Sequence, residues 1–271
     1  QRMGAFKMRG AMHAVLQLND EQKRKGVITH SSGNFAQALS LAAKAVGIKA
    51  TIVMPNNAPA VKKEAVKGYG GIIAESEPTA IARELLAEEI VKETGATFIH
   101  PSNDLNVIIG QGTAAMELIE DVPGLENIVT PVGGGGLIGG TALAAHFFGN
   151  KIKVYGAEPA AMDDACRSLH TGKIENNEPS ATTIADGLRT NLGDINFPII
   201  KNYVKEIILV EETEIIAALK LIWERMKIVV EPSSAVALAA VLKRKDLFAN
   251  TKTGIIISGG NVDLKSIAGS L

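Results

Sequence analysis

The feature that most narrows the fold is an alternation. Eight short runs rich in β-branched and apolar residues recur along the chain: GVITH (26–30), KATIVMP (49–55), GIIAE (71–75), ATFIH (96–100), NIVTPV (127–132), KIKVYGAE (151–158), EIILV (206–210) and TGIIIS (253–258). Between most of them lie segments of helical period. NFAQALSLAAKAVG, AIARELLAEEIVKETG and ETEIIAALKLIWERMK carry apolar residues at i, i+3, i+4 and i+7, the stripe a helix needs to bury one side. A strand, helix, strand succession makes neighbouring strands parallel, and parallel sheets are stable with both faces covered. The expected fold class is therefore α/β with parallel-rich sheets.

The first four runs fall at spacings of about 21 to 25 residues and form a compact set of βα repeats, after which the spacing loosens. Segment 172–200 is polar and turn-rich, the signature of a long functional loop. This predicts two lobes with a cleft between them: a small one over 23–103 and a large one over 1–22 and 104–271.

Composition excludes several classes. With 46% apolar residues in 271, the chain can bury a large core, and its net charge of -1 leaves no basic stripe for nucleic acid. No run of 18 apolar residues offers a membrane span. The single cysteine, Cys166, rules out an internal disulfide or an all-cysteine metal site, and with no signal peptide visible the expected setting is the cytoplasm. The start, QRMGAFKMRG, has neither a Met nor a turn, so the natural protein is expected to begin earlier.

In a parallel sheet, ligands gather at the carboxyl ends of strands. Three such ends are unusual. THSSGNFAQA (29–38) sets Ser31, Ser32, Gly33 and Asn34 between a strand and a helix. These residues suit either an N-cap made by Ser32 or Asn34, or a carboxylate site built from free amides and two hydroxyls. PVGGGGLIGG (131–140) puts four consecutive glycines after an apolar strand, letting the backbone wrap an anion at a helix N-terminus. The same segment satisfies G-x-G-x-x-G at Gly134, Gly136 and Gly139, with Glu158 about 20 residues on, so a dinucleotide-binding module is a rival reading. IIISGGN (255–261) ends a strand in Ser258, whose hydroxyl can bond one ligand atom.

Smaller signals remain open. GAFKMRG (4–10) holds Lys7, which alone reads as a solvated cation at a helix head. EPAAMDD (158–164) offers Glu158 and Asp164 to a hard divalent cation, or simply acid in a helix's first turn. VVEPSSA (229–235) sets Glu231 at a strand-to-helix junction where Pro is a normal start.

Taken in order, GAFKMRGA, HSSGNFAQA, GQG, VGGGGLIGG, AEPAAMDD, TIADGL, VEPSSA and SGGNVDL resemble the serine racemase and serine/threonine dehydratase family, pyridoxal-phosphate enzymes of fold type II, the tryptophan-synthase-β type. The match runs over nearly the whole chain, and its specificity lies in the order. The resemblance implies that Lys7 holds the cofactor aldehyde with Phe6 packed on the ring. It also implies phosphate amides at Gly133, Gly134, Gly135, Gly136 and Leu137, Asn34 at the ring hydroxyl, Ser258 at the pyridine nitrogen, and Glu231 among the cofactor contacts. Ser31, Ser32, Asn34 and Arg83 would meet the substrate. Lys7 would take the Cα proton on one face and Ser32 return one on the other. Glu158, the Met162 carbonyl and Asp164 match the family's Mg²⁺ site, open also to Ca²⁺ or Mn²⁺. A homodimer and a nucleotide activator belong to the same implication.

The chain departs from the family pattern in three ways. Phe35 stands where relatives usually have His, altering a pocket wall, and Ala5 stands where Ser is usual. About 50 residues that normally precede the lysine motif are absent, which would bare apolar surface and leave the large lobe short of its N-terminal part. Within the family, the rival activities are L-threonine or L-serine dehydratase and 3-hydroxyaspartate dehydratase or racemase, the last needing a further cation such as Arg189.

Overall fold

The structure, a computed structural model, describes residues 2–267 and 269, except the side chains of Lys265 and Ser266. All eight expected strands form. Strands β1 (Val27–His30), β2 (Ala50–Pro55), β3 (Ile72–Ser76) and β4 (Thr97–Phe98) build one sheet in the order β3-β2-β1-β4. Strands β5 (Asn127–Pro131), β6 (Lys153–Pro159), β7 (Val204–Val210) and β8 (Thr253–Ile255) build a second in the order β7-β6-β5-β8. Every pairing is parallel. The chain divides into two compact units, one ending at Gly110 and the other beginning at Gln111.

In the first unit, β1 and β2 are buried along nearly their whole length, as continuous apolar runs require of strands covered on both faces. Helix Asn34–Ala45 lays Phe35, Ala38, Leu39 and Ala42 against helix Lys7–Leu16 and the sheet. Phe35 is 2% exposed, and burying such a side chain contributes about 1.5–3 kcal/mol. In the second unit, β5 is buried at all five positions, between helix Gly136–Phe148 on one side and helix Pro232–Lys243 on the other.

Each sheet has one place where the chain reverses its direction of winding. From β1 the chain steps to β2 on one side, and β4 returns to the other; β5 has β6 and β8 in the same relation. The carboxyl ends of strands at such switch points open a crevice for ligands. The Ser31–Asn34 turn follows β1, and the glycine run follows β5.

Two elements differ from the periodicity. The helix expected over 212–227 is α-helical only over Glu212–Leu221; Ile222–Met226 widens to a π turn, and Lys227 ends it at φ 60°. There the Trp223 indole N–H donates to the Val230 carbonyl at 3.1 Å, a tertiary bond that helical period does not encode. Segment 172–200 is largely irregular as expected, yet it is pinned down, with Ala185, Leu188 and Leu192 buried. Among the described residues no helix is long and apolar enough to cross a membrane.

Candidate active site

The first unit presents Lys7 at the opening of helix Lys7–Leu16, directly after Phe6. Its Nζ donates to the Pro101 carbonyl at 2.7 Å and lies 5.1 Å from the Phe6 ring centre and 5.7 Å from that of Phe35. The ammonium is thus half-buried against two aromatic rings, unlike a solvated surface cation. Phe35 is the wall beside it.

Neither Ser32 nor Asn34 caps the next helix. Gly33 occupies the cap position with no side-chain bond, while its N–H donates to Ser31 Oγ at 3.3 Å. The first-turn amides of helix Asn34–Ala45 therefore meet a half-buried rim of Ser31, Ser32 and Asn34. A methyl built on Gly33 would meet nothing within 4 Å, so open space lies over this turn. Arg83, half-buried on helix Ala80–Thr94, bonds its Nε to the Thr79 carbonyl at 3.4 Å. Burial holds His30 below its usual titration range, and the Arg83 charge pushes the same way.

The second unit presents the glycine run. Residues 131–140 are all buried, Gly135 sits at φ 79°, and no side chain caps helix Gly136–Phe148. Two contacts explain why glycine is needed. A Cβ on Gly133 would stand 2.9 Å from Leu188 Cα, and one on Gly135 would stand 2.5 Å from Asn196 Oδ1. Asn196, wholly buried, donates from Nδ2 to the Gly134 carbonyl at 2.8 Å and accepts the Gly193 N–H at 3.1 Å. It shapes the loop from behind.

Gly187 links this cradle to the VEPSSA turn, since its N–H donates to Ser233 Oγ at 3.0 Å. Glu231, 5% exposed, occupies the cap position of helix Pro232–Lys243 with no side-chain bond to it, and its N–H donates to the Gly259 carbonyl at 3.0 Å. Ser258, 3% exposed, lies 2.9 Å from Ser234 Oγ. Asn196, Ser233 and Ser234 were not singled out from the sequence: Asn196 is 62 residues from its partner, and the two serines read as ordinary first-turn residues.

The acidic pair is fully buried. Both carboxylate oxygens of Glu158 accept backbone amides, Ala165 at 3.2 Å and Cys166 at 2.9 Å. Asp164 accepts Asn177 Nδ2 at 2.6 Å and the Leu192 N–H at 3.0 Å. Burial, then the nearby Asp164 charge, holds Glu158 well above the usual carboxylate range, and burial lifts Asp164 to about 6. Met162, also buried, closes a turn onto the Pro159 carbonyl. Among the described residues no three His, Cys, Asp or Glu side chains gather as a metal cluster. Glu158 is spent on a helix terminus and cannot reach a ribose, which removes the acidic partner the dinucleotide reading required. Arg189 is exposed and commits its guanidinium to the Thr183 carbonyl.

Residues 1–259 match the family model described as pyridoxal-phosphate dependent enzyme. A serine racemase from Dictyostelium discoideum is 51% identical over 99% of this chain and 84% of its own, and a beta-hydroxyaspartate dehydratase from Paracoccus denitrificans is 48% identical over 98% and 84%. Among solved structures, maize serine racemase superposes with a TM-score of 0.94 at 47% identity, covering 99% of this chain and 83% of that one. By the extent of that match and the identity of those relatives, this chain belongs to the pyridoxal-phosphate dependent enzyme family.

Proposed function

We propose that this chain interconverts L- and D-serine and, in a competing outcome, eliminates the β-hydroxyl of serine to give pyruvate and ammonia. The observation that carries the reading is the Ser32 hydroxyl at the switch-point end of β1, in a chain 51% identical over nearly its whole length to a serine racemase.

The residues present fit pyridoxal phosphate. A glycine run with an uncapped helix behind it offers amides and a positive helix end to a phosphate, and no Cβ intrudes. Ser258 suits a pyridine nitrogen because a neutral hydroxyl bonds it without forcing a proton onto it. Asn34 would bond the ring hydroxyl, Phe6 would pack on the ring, and Glu231 would complete the contacts. Lys7 would hold the aldehyde. When bound, the cofactor supplies the electron sink that lets a Cα–H bond of an amino acid ionise.

The chain's own residues do the rest. Ser31, Asn34 and the first-turn amides of helix Asn34–Ala45 grip the substrate carboxylate, and Arg83 adds a positive charge beside them. The Lys7 amine takes the Cα proton. A proton delivered by Ser32 to the opposite face inverts the carbon; departure of the β-hydroxyl instead leads to elimination. Both outcomes share one carbanion, and tenfold partition between them is about 1.4 kcal/mol of barrier.

A second reading, dehydration of 3-hydroxyaspartate, is supported by the 48% identity to the Paracoccus enzyme and by a 45% identical L-threo-3-hydroxyaspartate ammonia-lyase from Saccharomyces cerevisiae. Arg189 would be its β-carboxylate partner. Mg²⁺, or Ca²⁺ or Mn²⁺, is proposed at Glu158, Asp164 and the Met162 carbonyl, because a divalent cation relieves two buried like charges. A homodimer, a nucleotide activator and a cytoplasmic setting belong to the same proposal.

Chiral chromatography of L-serine incubations tests it. Wild type should form D-serine and pyruvate, and Ser32→Ala should lose racemisation by about 10²-fold while keeping elimination. Unchanged D-serine formation in Ser32→Ala would remove Ser32 from the reaction. Turnover of hydroxyaspartate with no D-serine from wild type would favour the second reading.

A further inference from the structure

Ser234 has one proton and two oxygens within reach of it. Its Oγ lies 2.9 Å from Ser258 Oγ and 2.8 Å from the Gly259 carbonyl, while it accepts the Gly259 N–H at 2.7 Å. Ser234 is wholly buried and Ser258 is 3% exposed, so no bulk water competes for these bonds.

The direction of that one proton decides what Ser258 can do. If Ser234 donates to the Gly259 carbonyl, Ser258 must donate to Ser234 to keep the 2.9 Å contact, and Ser258 then shows a ligand only lone pairs. If Ser234 donates to Ser258, the Ser258 proton is released for a ligand acceptor. The Gly259 carbonyl does not need Ser234, because the Glu231 N–H already donates to it at 3.0 Å. Buried oxygens are costly to leave without a donor, and this one is supplied from elsewhere.

We infer that Ser234 is a positioning residue that gives its proton to Ser258 and thereby makes Ser258 a hydrogen-bond donor to the cofactor's ring nitrogen. The inference rests on the proposed reading of Ser258 as the residue at that nitrogen. An unprotonated pyridine nitrogen is an acceptor only, so a Ser258 turned the other way would repel it. Ser234 thus acts through Ser258, holding the ring nitrogen in its neutral state.

The test reconstitutes wild type, Ser234→Ala, Ser258→Ala and the double variant with pyridoxal phosphate labelled with ¹⁵N in the ring. Two quantities are read: the rate of cofactor release and the ring ¹⁵N chemical shift. One neutral hydrogen bond corresponds to about a fivefold change. Ser258→Ala should release cofactor about fivefold faster and move the ¹⁵N resonance. Ser234→Ala should move both readouts in the same direction but by less, because Ser258 keeps its own proton and loses only the bond that orients it, and the double variant should be no worse than Ser258→Ala alone. Should Ser234→Ala not fold, Ser234→Cys, of similar size and a weak donor, gives the same comparison. Effects of Ser234→Ala that add in full to those of Ser258→Ala, with the ¹⁵N resonance unmoved, would make Ser234 a mere stitch on the Gly259 backbone and overturn the inference. Ser258→Ala with neither change is a different failure, removing the reading of Ser258 itself.

Discussion

Asn196 Nδ2 donates to the Gly134 carbonyl at 2.8 Å from a side chain with no exposed surface. The bond satisfies that carbonyl from a buried side chain and fixes the peptide in the glycine run. Asn196→Ala leaves a buried carbonyl unsatisfied, at a cost of about 1–3 kcal/mol. The expected result is a lower melting temperature together with weaker pyridoxal phosphate binding by fluorescence titration. Cofactor affinity equal to wild type would mean that the loop is shaped by its glycines alone.

The glycines themselves separate into two kinds. Gly135 is at φ 79° with Asn196 Oδ1 2.5 Å from any added Cβ, so Gly135→Ala should be strongly destabilised before any ligand is added. Gly33 is at φ -114° with nothing within 4 Å, so Gly33→Ala should melt close to wild type. Its methyl enters the space over the helix start where a substrate carboxylate is proposed to sit. KM for serine should rise about tenfold or more with little change in stability, and an unchanged KM would move the carboxylate site elsewhere.

Lys7 is held by the Pro101 carbonyl and two aromatic rings, a placement that suits a single defined reach of its amine. Lys7→Ala should abolish the visible absorption band that pyridoxal phosphate gives when it is attached to an enzyme amine. Turnover should fall by roughly 10³-fold or more. Because the side chain is half-buried at a helix start, folding should be nearly unaffected. Wild-type colour and turnover in this variant would return Lys7 to an ordinary cation.

Strands β1, β2, β5 and β6 were legible because covered parallel strands must be continuous apolar runs, and the other four carry short β-rich runs. The two switch-point turns were legible for the same reason, since each directly follows such a run. What the periodicity missed depends on distant partners. The π turn over Ile222–Met226 goes with a bond from Trp223 to Val230, and Asn196 and Ser234 act on Gly134 and Ser258, 62 and 24 residues away in sequence. Glu158 shows a subtler limit. Its position after a strand fitted both a ribose-binding acid and a cation ligand, and the amide partners it takes at Ala165 and Cys166 could not be read from that position.

The acidic pair makes a prediction whose sign is fixed. Asp164 is lifted from an ordinary 3.8 to about 6 by burial, and Glu158 is raised further by burial and by Asp164. A raised folded-state value means that the folded chain binds protons more tightly than the unfolded one. Stability from this source is complete below pH 3.8 and is lost as pH rises through about 6. Above that, Asp164 carries a buried charge beside Glu158, whose own ionisation burial and that charge oppose, the condition a divalent cation relieves. In protein stripped with a chelator, this contribution should lower the melting temperature as pH is raised from 4 to 7, and added Mg²⁺ should restore it by an amount that grows with pH. Glu158→Gln keeps an acceptor oxygen for the helix amides while removing a carboxylate ligand, so it should shrink the Mg²⁺ response while the decline that belongs to Asp164 remains. A Mg²⁺ effect of equal size at pH 5 and pH 7, or one that survives in Glu158→Gln, would put the cation somewhere other than this pair.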